Sequence, residues 1–280
     1  MSAGGERVPG TLFVVSTPIG HLGDLSPRAV EVLRSVAAIL AEDTRHTRHL
    51  TDRFDIPTPL VSYHEHNEAE RTPGLVARLH AGESLALVSD AGTPLLSDPG
   101  ARLVEAVVAD GLPVSPVPGP SALLAALVGA GLPADRFTFF GFLPRKGRDR
   151  QEALASLAAL PHVGVVYEAA NRVAETLAEL AAAGAADRPA VLARELTKQF
   201  ETFHRGTVAS LAATMAAEPP RGEVVLVIGA GAPAPAPDEA TLRAHAAACR
   251  AEGMSAREVQ RVLMDEMHAP RNLAYRIAHG

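Results

Sequence analysis

Cysteine is nearly absent: Cys249 is the only one in 280 residues. That excludes an intramolecular disulfide and a cysteine-rich zinc site. No apolar run approaches the ~18 residues that a membrane span needs. Residues 1–10 carry Glu6 and Arg7 and no apolar core, so no signal peptide is read there. The expectation is a soluble cytoplasmic chain. Lysine is scarce as well, with Lys146 and Lys198 alone among 26 basic residues. The net charge of −6 argues against broad nucleic-acid binding, so any such contact must come from local basic patches. Two phosphate-binding signatures are missing too. No GxxxxGK[ST] occurs, and no GxGxxG follows the first strand, which leaves out a P-loop and the usual dinucleotide fingerprint.

What is present is an alternation of short apolar strands and amphipathic helices. Strands are read at Leu12–Val15, Ala38–Ala41, Pro59–Val61, Leu85–Val88 and Pro113–Val117, with helices between them. Ser26 before Pro27 marks one helix start. Asp98 before Pro99 is read the same way, as cap and first position of a helix over Arg102–Ala109. Pro116-Val117-Pro118-Gly119-Pro120 cannot continue a helix or a central strand and marks the main internal boundary. Beyond it, Ser121 is read as the cap of a helix through Val128. A second α/β unit follows, with strands Phe137–Phe142, Val163–Tyr167, Ala190–Arg194 and Glu223–Ile228 and helices over 151–159, 172–183 and 207–217. Gly229–Pro237 reads as a Pro/Ala linker. Residues 238–280 read as a small helical piece, in which Ser255 and Glu258 form a capping box and Pro270 starts a third helix. The domain reading is 1–117, 118–230 and 231–280, with mostly parallel sheets in the two α/β parts.

Three loops at strand ends carry almost no side-chain bulk: Thr17–Gly20, Asp90–Pro94 and Pro118–Ala122. Open α/β sheets bind ligands at the carboxyl ends of their strands, where missing side chains let a ligand lie against backbone. The plainer reading is a set of ordinary strand–turn–helix joints. Two patches are locally basic. One is the loop Arg145-Lys146-Gly147-Arg148-Asp149-Arg150. The other runs from Arg243 to the end, with six arginines against four carboxylates, read either as a solvated cap or as a nucleic-acid-facing module.

The motif set resembles the tetrapyrrole methylase superfamily, the class III S-adenosylmethionine methyltransferases. It is most similar to the branch of ribosomal RNA small-subunit cytidine-2′-O-methyltransferases. The resemblance rests on Phe13–Gly20, Ala41–Thr47, His64–Glu68, Val88–Leu95, Val117–Ala122, Gly141–Pro144, Tyr167-Glu168 with Arg172, and Ala193–Lys198. It implies two α/β domains with the cofactor cleft between them and a small C-terminal helical extension. It implies S-adenosyl-L-methionine as cofactor, held by Pro18, Asp90, Ala91, Gly92, Thr93, Leu96, Ser121, Ala122, Tyr167 and Glu168. The implied substrate is a cytidine ribose in the decoding region of 16S rRNA, on the small ribosomal subunit, with the enzyme a homodimer. The wider superfamily's Gly-Gly-Asp-Pro stands here as Ala91-Gly92-Thr93-Pro94, without the acid.

Methyl transfer from a sulfonium to a ribose hydroxyl asks the protein for alignment and help in removing a proton. Glu42, Asp43, His46 and Lys198 are candidates for that help. Asp43 comes first, because a carboxylate is already deprotonated at neutral pH. Arg45 and Arg194 are candidates to hold a phosphate. The plainer readings are a helix cap at Glu42-Asp43 and a salt bridge at Arg194-Glu195. Arg145, Lys146, Arg148 and Arg150 are the candidate RNA contacts. The histidines show no four-ligand metal spacing. Two other functions fit the same scaffold: methylation of a small tetrapyrrole-like substrate, or RNA binding without catalysis.

Overall fold

The computed structural model describes residues 8–231, 238–267 and 269–280. Residues 8–231 form one compact unit, and the described residues beyond them form a second. No helix among the described residues is long and apolar enough to cross a membrane.

The first half of the larger unit alternates strictly. Its elements are β1 (Leu12–Val15), α1 (Pro27–Ser35), β2 (Ala38–Ala41), α2 (Thr44–Arg53), β3 (Leu60–Ser62), α3 (Glu68–His80), β4 (Leu85–Val88), α4 (Ala101–Ala109) and β5 (Val114–Val117). The strands form one sheet in the order β3-β2-β4-β1-β5, and every pairing is parallel. Helical crossovers cover both faces of such a sheet, so its central strands are apolar throughout. β2 and β4 are accordingly buried at all four positions. One core lies on each face, with Leu40, Leu79, Leu87 and Leu103 on one side and Leu33, Ile39, Ala86 and Val88 on the other.

Then follow α5 (Ala122–Ala130), β6 (Phe137–Phe142), α6 (Gly147–Ala159), β7 (Val163–Ala169), α7 (Val173–Leu180), β8 (Pro189–Arg194), β9 (Thr202–Thr207), α8 (Val208–Ala217) and β10 (Glu223–Ile228). They build a second sheet in the order β6-β7-β10-β8-β9. The parallel pairing expected from the sequence holds here only for β6 with β7; β10 pairs antiparallel with β7 and β8, and β8 with β9. The reason is β9, a strand not read from the sequence. It is a half-exposed edge with mostly polar residues, so it lacks the apolar run that marks β7, β8 and β10. Its return beside β8 makes the connection a near-neighbour one rather than a helical crossover. α5 packs on this second sheet, with Ala126 and Leu127 against Val165, Val191 and Val227.

Two helix starts differ from the sequence reading. α4 begins at Ala101, and its cap is Gly100 at φ +123°, not Asp98. Leu95 and Ser97 also have positive φ, so the chain before α4 is too contorted for Pro99 to be helical. A Cβ on Gly100 would stand 2.6 Å from the Leu87 side chain. α6 begins four residues earlier than read, at Gly147. Arg150 therefore lies on the helix face it shares with Leu154 and Leu157, and it is buried.

Among the described residues the smaller unit is three helices, α9 (Glu239–Ala251), α10 (Ala256–Asp265) and α11 (Arg271–His279), around Leu242, Cys249, Val259, Leu263 and Ile277. The expected capping box of Ser255 and Glu258 is present, and Pro270 precedes α11. Most of the Pro/Ala linker, residues 232–237, lies outside the described residues, as do residues 1–7.

Candidate functional site

Because β4, β1 and β5 are neighbours, the loops that leave their carboxyl ends are neighbours too. Thr17 and Gly92 bond as an isolated bridge: Thr17 N donates to Gly92 O at 2.8 Å, and Gly92 N to Thr17 O at 3.0 Å. The Thr93 hydroxyl joins all three loops. It donates to Pro120 O at 3.1 Å and lies 3.0 Å from Ser16 Oγ. The residue that replaces the superfamily's acid is thus a clasp between loops. Gly92 sits at φ +79°, where an L side chain is strained, and a Cβ there would lie 3.2 Å from Ile19.

These loops face a cavity of about 390 Å³. Its first-sheet wall includes Ile19, Asp90–Thr93, Leu96 and Asp98, and its second-sheet wall includes Tyr167, Glu168, Leu196, Glu223 and Val225, with Ser121 and Ala122 between. Nine of the ten residues expected at the cofactor border it. The exception is Pro18, which borders a smaller cavity of about 120 Å³ with Thr17, Leu22, His46 and His49.

Several polar groups here fit a cationic ligand with its own hydrogen-bonding groups. Ser121 stands at the cap position of α5, but its side chain makes no cap bond, and its buried Oγ has no partner among the described residues. The expected cap is replaced by Tyr167, whose hydroxyl oxygen accepts from Leu123 N at 3.1 Å. Burial and the nearby Asp98 raise the Tyr167 pKa against the pull of the Leu123 bond. Asp98, read from the sequence as a cap, instead borders the cavity. Its pKa is raised to about 6 by burial first, then by the charges of Glu42 and Asp90, with a hydrogen bond from Ser89 opposing. Glu42 is raised likewise by burial, Asp90 and other carboxylates, against the charge of His64. No lysine or arginine pairs with Glu42, Asp90 or Asp98 among the described residues.

The candidate catalytic residues divide. Asp43 caps α2, accepting from Arg45 N at 2.8 Å, and its carboxylate is gripped by the Arg45 guanidinium at 3.0 and 2.7 Å. These bonds hold its pKa far below the ordinary range, which leaves it a feeble base. Arg45 is otherwise 90 % exposed. Lys198 lies between Glu195 (3.1 Å) and Glu223 (3.0 Å). Burial disfavours its charge, but the two carboxylates outweigh burial and raise its pKa, so it is a held cation. Lys198 also meets the first-sheet loops, since a Cβ on Gly20 would stand 2.5 Å from its Cγ. Arg194 leaves its buried Nε without a partner and forms no ion pair with Glu195 among the described residues.

The four candidate RNA contacts divide as well. Arg145, Lys146 and Arg148 are exposed. Arg150 is not: its side chain is 4 % exposed and bonds to Glu179, to Pro144 O at 3.1 Å and to Thr176 Oγ1 at 2.9 Å. It also lies 3.8 Å from the buried Glu168, which accepts from Thr176 Oγ1 at 2.6 Å and Ala169 N at 2.9 Å. Arg150 therefore supports the cavity's second wall and is unavailable to RNA. Asp98, Ile19, Leu196 and Glu223 were missed as cavity residues. Signals existed for Ile19, inside the Thr17–Gly20 loop, and for Leu196, inside the Ala193–Lys198 motif.

The model of the family described as Tetrapyrrole (Corrin/Porphyrin) Methylases matches residues 11–212. A protein of Xylella fastidiosa named ribosomal RNA small subunit methyltransferase I is 54 % identical over 79 % of this chain and 81 % of its own. One of the same name from Synechocystis sp. is 45 % identical over 96 % and 97 %. Among solved structures, a uroporphyrin-III C-methyl transferase from Thermus thermophilus complexed with S-adenyl homocysteine has a TM-score of 0.56 at 21 % identity. It covers 79 % of this chain and 97 % of its own. A diphthine synthase superposes with a TM-score of 0.58 at 16 % identity, over 79 % and 89 %. At such identities the likeness shows the fold alone.

Proposed function

As the chain belongs to the tetrapyrrole methylase family, we propose that its larger cavity binds S-adenosylmethionine and that it methylates the 2′-oxygen of a cytidine in the decoding region of 16S rRNA. Support for an rRNA substrate comes from the relatives' shared name at about half identity over most of the chain. The observation that carries the cofactor reading is the cavity itself. Three side-chain-poor loops meet there, a buried hydroxyl lacks a partner, and one wall presents carboxylates without cations.

The cofactor supplies an electrophilic methyl on a positively charged sulfur. The protein's residues do the rest. Asp90 and Asp98 complement positive charge, Ser121 offers a free hydroxyl, and Leu96, Leu196 and Val225 exclude water from the ligand's apolar parts. Arg145, Lys146 and Arg148 hold RNA phosphates from α6 and the loop before it. The enzyme acts in the cytoplasm as a homodimer, and a second copy would cover Leu124 and Val128, exposed one turn apart on α5. The domain division falls between β5 and α5, with the cavity shared by the two sheets.

The test is methylation of small-subunit particles and of uroporphyrinogen by the purified protein with labelled S-adenosylmethionine, alongside calorimetry with S-adenosylhomocysteine. Label in 16S rRNA ribose is expected. Label in the porphyrinogen alone identifies a tetrapyrrole enzyme, and absence of cofactor binding identifies a non-catalytic RNA-binding protein.

A further inference from the structure

The smaller cavity adjoins the one assigned to the cofactor. It is framed by Thr17 and Leu22 of the loop after β1, by His46 and His49 of α2, and by Asp90. Asp90 is the one described residue that borders both cavities. Size sorts the occupants. Drug-sized ligands fill cavities of roughly 300–1,000 Å³, which suits the larger space. The smaller one, about 120 Å³, holds the equivalent of roughly four waters at about 30 Å³ each, enough for one small ring. His46 and His49 form its α2 rim, Arg48 adds an exposed basic side chain on the same helix, and the exposed Arg45 is paired with Asp43. A phosphate-bearing strand complements such a rim.

We propose that the smaller cavity receives the acceptor ribose, its flanking phosphates lying along α2, and that Asp90 orients the reacting hydroxyl at the junction of the two cavities. This rests on the methyltransferase reading above. Methyl transfer needs acceptor and donor atoms about 3 Å apart, and only Asp90 touches both chambers. In the step, the hydroxyl oxygen forms the new C–O bond and the C–S bond breaks, with its electron pair going to sulfur. The hydroxyl proton passes to the Asp90 carboxylate and on to solvent. Asp90 is held for this by Asp43 N, which donates to its Oδ1 at 3.1 Å. The neighbouring Glu42 and Asp98 are both raised in pKa in part by the charge of Asp90.

The test uses the full chain with S-adenosylhomocysteine bound, and Leu22→Trp and His49→Trp as two exposed substitutions that fill the smaller cavity. Cytidine 3′-monophosphate at millimolar concentration is expected to shift the imidazole resonances of His46 and His49 in the parent protein. In Leu22→Trp the shift of both should be lost, and in His49→Trp that of His46. Single-turnover methylation of small-subunit particles should need about tenfold more particle in both variants, while S-adenosylhomocysteine affinity stays within about twofold. Asp90→Asn should lower the saturating single-turnover rate by roughly 10²-fold, the scale of a lost proton acceptor or orienting group. Unmoved imidazole resonances in the parent, or tryptophan variants that bind and react like it, would overturn the assignment of the cavity. Asp90→Asn losing cofactor affinity alone would place Asp90 with the cofactor only. If the parent binds cofactor but methylates no rRNA, the underlying function is wrong and the assignment falls with it.

Discussion

The two walls of the larger cavity handle negative charge in opposite ways. On the second-sheet wall, each carboxylate has a cation. Glu168 has Arg150 at 3.8 Å and Arg172 at 3.9 Å, and Glu195 and Glu223 share Lys198. On the first-sheet side, Glu42, Asp90 and Asp98 have mainly each other, and Glu42 and Asp98 are raised in pKa, by burial first and then by that crowding. Compensated charge rigidifies a wall, whereas uncompensated charge waits for a ligand. In the proposed function, the first-sheet side complements the cationic cofactor and receives the released proton. Lys198, one of the candidate bases on sequence grounds, belongs to the compensated side.

Breaking the compensated wall should have the largest effect. Arg150→Ala leaves Glu168 buried without its nearest cation, and a loss of about 3 kcal/mol in unfolding free energy is expected. Urea denaturation measures it, and a neutral result would mean that the wall does not depend on its ion pairs. Next is Gly92→Val, which forces a β-branched residue into φ +79° against Ile19. Affinity for S-adenosylhomocysteine should fall by roughly 10²-fold, equivalent to about 2.7 kcal/mol, as read by calorimetry on protein checked to be folded.

Asp98→Asn sharpens the contrast from the other side. Asp98's folded pKa of about 6 lies above its ordinary 3.8. The fold thus favours the protonated form. The stability gained from it is complete below about pH 4 and is lost as pH rises through about 6. Asparagine keeps the neutral shape, so near neutral pH the variant should be more stable than the parent, by about 1 kcal/mol once solvent screening is allowed for. Thermal melts across pH should show that advantage vanish in acid; an advantage of equal size at all pH values would disconnect it from titration. The smallest effect is expected for Asp43→Asn. Asparagine caps a helix as well as aspartate does, so single-turnover rates should stay within about threefold. A 10²-fold loss would restore Asp43 as the base.

Much of this was legible in the sequence where local chemistry decides. The parallel sheet was marked by short, continuous apolar runs. The three loops were marked by their lack of side chains; the ten expected cofactor residues, nine of which border one cavity, were implied by the family resemblance. Legibility failed where tertiary contacts override local signals. Asp98-Pro99 has the pattern of a helix start, but left-handed turns at Leu95 and Ser97 take Asp98 into the cavity instead. Arg150 sits in a basic run like a surface residue, and only the helix phase set by Leu154 and Leu157 turns it inward. β9 is polar because one edge faces outward, so no periodicity announced it.

The central claim is tested most directly by mass mapping of ribose methylation on small-subunit RNA from cells with and without this protein. The account predicts one 2′-O-methylcytidine missing from the decoding region in its absence, restored by the parent protein and not by Gly92→Val. An identical methylation map in both cells would contradict it.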